Sequence, residues 1–101
     1  MLFCVVTQCA LAEEKKVTYD HAFGCRDRTT YEKIVSYLTQ DDDRPAFEQA
    51  LSPALASGEC FGLERGKTVV VIEHPWFASV IKIRLKGLLQ EFWTSRGNLS
   101  H

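Results

Sequence analysis

His21 and Cys25 lie close together in the chain, and His74 follows well downstream. Cysteine and histidine together suggest a thiol hydrolase, in which an imidazole activates a thiolate and a third group orients the base. Asp20 or Asp27 would be that third group. The same sulfur has a competing use. Of the four cysteines, Cys4 and Cys9 fall in an apolar N-terminal stretch, leaving Cys25 and Cys60 for the remainder. In an oxidising compartment an even pair is read as a disulfide. Bridging them closes a loop of about 35 residues, for which the chain-entropy model gives about 3.5–4 kcal/mol. In a reducing compartment both would be buried free thiols.

Metal chemistry finds no support. There is no C-x-x-C, and His21, His74 and His101 have no ligand spacing. Asp41-Asp42-Asp43 lacks the spaced oxygen ligands, central glycine and distal glutamate of a calcium loop, and reads as a solvated turn. No metal and no cofactor are expected. Lys82, Arg84 and Lys86 alternate along one strand face. With a net charge of −1 for the whole chain, they read as the wet side of a half-buried sheet. No nucleic-acid partner is expected.

The elements that would position these residues follow from periodicity. Residues 15–19 form a β-prone run, and residues 21–25 a turn in which Gly24 permits unusual backbone angles. Thr29 and Glu32 have capping-box spacing. Tyr31, Ile34, Val35 and Leu38 then recur on one helical face, which predicts a helix over 30–39. Pro45 suits a first helical turn. Phe47, Ala50, Leu51, Ala54 and Leu55 repeat the helical spacing, Pro53 should kink or shorten that helix, and Gly58 stops it. The β-branched run 68–73 is a buried strand. Residues 80–86 alternate, with Ile81, Ile83 and Leu85 on one side. Gly87 turns the chain into a partner strand over 88–94.

Residues 1–12, MLFCVVTQCALA, carry no charge, whereas every Lys, Arg, Asp and Glu lies at Glu13 or later. Ala10-Leu11-Ala12 has the small-x-small form of a signal-peptidase site. We read 1–12 as a signal-peptide-like leader, truncated at its N-terminus because no basic n-region precedes it. Residues 13–101 are read as one domain. No apolar run is long enough for a transmembrane helix, so no stable membrane insertion is expected after processing.

The span from Cys60 to Leu99 resembles the bacterial SH3-like (SH3b) domains. The resemblance rests on Leu63, Gly66, Val69 to Ile72, Lys82-Ile83-Arg84, Gly87 and Phe92-Trp93. It departs where two helices intervene between Cys25 and Cys60, and where Trp76 follows Pro75 in place of a Gly-Trp. It implies an α+β fold: a small antiparallel SH3-like sheet or barrel with a two-helix insertion, residues 26–58, after the first strand. SH3-like domains bind along aromatic-lined grooves, so the resemblance makes Trp76, Phe77 and Trp93 a binding patch. Alternation puts Phe92 and Trp93 on opposite sheet faces, so one of them belongs to the core.

These readings converge on a small exported, non-enzymatic interaction module, periplasmic or secreted, whose partner is a protein of the bacterial envelope or a cell-wall component. The alternatives are an exported inhibitor or immunity-type protein, which blocks an enzyme through a loop, and the Cys–His thiol hydrolase.

Overall fold

The computed structural model describes residues 13–73 and 79–100. The 1–12 leader, His74, Trp76, Phe77 and His101 lie outside the described residues. The fold is α+β. Strands β1 (Glu13–Lys16) and β2 (Phe23–Cys25) precede helices α1 (Arg28–Thr39) and α2 (Arg44–Ser57). Strands β3 (Cys60–Gly62), β4 (Thr68–Glu73), β5 (Val80–Leu85) and β6 (Glu91–Ser95) and a 3₁₀ turn, Arg96–Asn98, follow. All pairings are antiparallel, in the order β1-β4-β5-β6-β2-β3. The sheet is open and not closed into a barrel. β1 and β3 are its two ends, although a bridge between Val17 and Leu99 draws the C-terminal segment beside the end of β1.

The side-chain period of two divides the core into two layers. On one face Phe23, Cys25, Cys60, Val80 and Trp93 pack beneath Tyr31, Ile34, Ala54 and Phe47 of the helices. On the other, Phe61, Val69, Ile81, Ile83 and Phe92 form a second cluster. Val17, Ala22, Leu63 and Leu99 close that cluster from connecting segments. Strands β3, β5 and β6 contribute to both layers. Phe92 is buried in one, while Trp93 is half-buried in the other.

Several local expectations are corrected. Asp27, not Thr29, caps α1; its carboxylate accepts from the Thr30 amide at 3.1 Å and the Thr30 hydroxyl at 3.2 Å. Glu32 instead accepts from Arg28 at 3.0 Å, one turn back. Aspartate is a strong N-cap, and Asp27 lies two residues past the end of β2, so the helix begins before the predicted box. Residues 23–25 are strand rather than turn, and Gly24 has no positive φ. α2 runs through Pro53 to Ser57 and stops at Gly58, whose φ is 84°. Proline removes the bond to the Gln49 carbonyl, but both residues are exposed, so the loss falls on the solvent side of the helix. Leu55 is exposed as well and takes no part in the helix–sheet contact. β6 begins at Glu91: Lys86 and Gly87, the latter with φ 96°, form the turn, and residues 88–90 lie between it and the strand.

Candidate functional site

The register β2–β3 sets Cys25 directly opposite Cys60, and their sulfurs form a disulfide, with Cα atoms 3.9 Å apart. Both residues are fully buried under the helices. A disulfide sulfur is not a thiolate. The Cys25 sulfur is therefore occupied by a structural bond rather than poised against His21.

Two cations of the basic stripe face carboxylates on other strands, and the third, Arg84, donates to the Leu88 carbonyl. Lys82 lies 3.3 Å from Glu91 and 3.8 Å from Glu73, and Lys86 lies 3.2 Å from Glu14. Trp93 sits beside this stripe, with the Arg28 guanidinium 5.3 Å and the Lys82 ammonium 5.5 Å from its ring. Both distances suit cation–π attraction. Of the three aromatic residues expected to bind, Trp93 alone is described, and it packs against the helix-side core beneath these cations. No group of three or more metal-ligating side chains occurs among the described residues.

The concave feature that gathers aromatic side chains lies elsewhere. It opens between α1, α2 and the segment leading into β2, with a volume of about 490 Å³. Tyr19, His21, Phe23, Tyr31 and Phe47 line it, with Arg44 at its rim. The rings of Phe23 and Tyr31 are 4.9 Å apart, and those of Phe23 and Phe47 are 5.9 Å apart. Tyr19 and His21 meet edge-on at 6.3 Å. Tyr19 remains 54% exposed, so an aromatic face is free for contact. A hollow of about 530 Å³ in the outer groove between α1 and α2 is lined by residues such as Thr30, Ala50 and Pro53, and lacks such a gathering of rings.

A hydrogen-bond network fixes the floor of the cleft. The Tyr31 hydroxyl bonds the Ser95 hydroxyl at 2.6 Å and accepts from the Ser95 amide at 2.9 Å. The Asn98 side-chain amide donates to Thr94 at 2.9 Å, and buried Thr94 donates to the Phe23 carbonyl at 2.8 Å. Helix α1 is thereby tied to β6, and β6 to β2. Tyr31→Phe should lower the unfolding free energy by about 1–3 kcal/mol, because it leaves the Ser95 amide without its partner. Urea denaturation measures this; an unchanged midpoint would mean that water takes over the bond.

Sequence reasoning missed this cleft. Its signal was the aromatic spacing of Tyr19, Phe23 and Tyr31 around His21, but Phe47 joins them only through helix packing. The fold and cleft together define a class: a small disulfide-stapled α+β domain with an aromatic groove. No family model, curated protein or solved structure matches the chain.

Proposed function

We propose that the chain is a small exported, non-enzymatic interaction module of the bacterial cell envelope, and that its partner seats in the aromatic cleft. The observation that carries this reading is the exposed ring of Tyr19 above a floor of packed aromatics held by the Tyr31 network. Preformed concave sites with aromatic walls and a few polar groups are where ligands bind. Rigid aromatics lose little entropy on docking and dominate interface energetics. The buried disulfide agrees with an oxidising compartment. No helix among the described residues is long and apolar enough to cross a membrane. The SH3-like resemblance of the C-terminal half points the same way, toward a groove-binding module rather than a catalyst.

The test is binding of the purified protein to cell-wall sacculi, in parallel with photo-crosslinking in the envelope from a probe at position 48, an exposed position lining the same cleft. Tyr19→Ala should weaken retention on sacculi, or abolish the crosslinked protein adduct, by about tenfold, with the melting temperature unchanged. Full retention by this variant would reject the cleft as the binding site. N-terminal sequencing of the exported form should read from Glu13. Intact Met1 on a folded cytosolic protein would reject the export reading. The inhibitor alternative predicts one tight protein partner and no affinity for sacculi.

A further inference from the structure

The β5–β6 turn carries the most exposed large apolar side chains among the described residues: Leu88 is 56% and Leu89 88% accessible. The turn is braced as far as Leu88. Gly87 supplies the positive φ, the Leu88 amide donates to the Leu85 carbonyl at 3.0 Å, and the Arg84 guanidinium donates to the Leu88 carbonyl at 3.1 Å. The Lys86 amide also donates to the Thr68 carbonyl at 3.0 Å. Leu88 is therefore held out to solvent by a braced turn, and Leu89 follows it, more exposed still.

Hollows flank Leu88 on both sides. One, of about 290 Å³, is lined by Phe61, Leu85 and Phe92 with Arg26 at its margin. The other, of about 280 Å³, is lined by Lys67, Thr68 and Lys86. Their linings include three cations, Arg26, Lys67 and Lys86. Lys67 and Lys86 do reach Glu64 at 3.7 Å and Glu14 at 3.2 Å, but these are exposed pairs, and such pairs contribute little.

We propose that this turn docks on an anionic lipid surface. Leu88 and Leu89 enter the acyl boundary, and Arg26, Lys67 and Lys86 meet the phosphate headgroups on either side. An exposed apolar tip flanked by cations is complementary to a bilayer interface, where apolar burial and attraction to anionic lipid add. Bracing the turn in advance reduces the entropy lost on docking. This surface is separate from the aromatic cleft and does not depend on it.

The test is co-sedimentation of the protein with vesicles of phosphatidylglycerol and phosphatidylcholine, against vesicles of phosphatidylcholine alone. Partition onto the anionic vesicles is expected, with most of it lost at about 0.5 M salt, where the Debye length has shrunk to a few ångströms. Leu89→Ser should cut partition about tenfold, and the Arg26→Glu, Lys67→Glu double variant at least as much. Leu89 is almost fully exposed, so far-ultraviolet circular dichroism of its variant should not change. Tyr19→Ala should partition like the wild type, which separates this surface from the cleft. No partition onto anionic vesicles, or full partition by Leu89→Ser, would overturn the proposal. Self-association abolished by Leu89→Ser, without vesicle binding, would assign the turn to protein contact and overturn it equally.

Discussion

Cys60→Ser should lower the unfolding free energy by about 3–4 kcal/mol and broaden the cleft's conformational range. The bond joins the residues at the two ends of the helical segment, separated by 35 positions in sequence. Removing it restores the freedom of that loop to the unfolded chain, which the chain-entropy model values at about that much. The native state suffers as well. Cys25 and Cys60 are both fully buried beneath Tyr31, Ile34 and Ala54, so serine places a hydroxyl and an unpaired thiol in an apolar layer. Cys25→Ala, Cys60→Ala together should recover part of the loss relative to the single serine variant, because no polar group is then buried. Guanidinium denaturation of the wild type, with and without reductant, reads the same difference independently. Native protein whose two thiols alkylate quantitatively without reductant would contradict the bond. It would also restore Cys25 as a candidate nucleophile.

Gly24→Val should cost about 3 kcal/mol, at the upper end of ordinary overpacking. Gly24 is not required by its backbone angles. A Cβ at this position would lie 2.5 Å from Phe92 Cδ2 and 3.1 Å from the Trp93 carbonyl. Phe92 cannot retreat easily, since it is 2% exposed and its ring packs edge-on against Phe61 at 4.6 Å. The carbonyl belongs to the neighbouring strand β6. The clash is thus with packed core and with backbone. A double-mutant cycle tests the cause. Phe92→Ala alone should cost about 3–5 kcal/mol through the cavity it leaves. Combined with Gly24→Val, it should cost clearly less than the two changes summed, because the new side chain occupies part of that cavity. Strict additivity in thermal or urea denaturation would show that the strand pairing, not the Phe92 ring, rejects the side chain.

The limits of local reading show in particular residues. The strand Thr68–Glu73 and the alternation of Ile81, Ile83 and Lys82 were legible, because β-branched content and a period of two are properties of a few adjacent residues. The stops at Gly58 and Gly87 were legible for the same reason. The start of α1 was displaced because Thr29 and Asp27 both satisfy a capping pattern, and only the end of β2 decides which residue is free to cap. Leu88 and Leu89 read as strand because they are apolar. Their exposure depends on where Arg84 and Thr68 hold the turn. Trp93 was legible as an aromatic opposite Phe92, but not as a ring covered by Arg28 from a helix far earlier in the chain.

By itself, the sequence determined the types of most elements, the two helices between Cys25 and Cys60, and the availability of those two sulfurs for one another. These follow from short-range preferences and from counting. Tertiary structure alone decided the order β1-β4-β5-β6-β2-β3 and the open sheet. It also decided the division of the core between two faces and the meeting of Tyr19, Phe23, Tyr31 and Phe47 in one cleft. The physical reason is that these features are contacts between distant segments. Their energy depends on which surfaces meet, and no single stretch of chain carries that information. Gly24 is the clearest case: its local sequence suggests a turn, while the ring of Phe92, brought against it by strand pairing, is what requires glycine there.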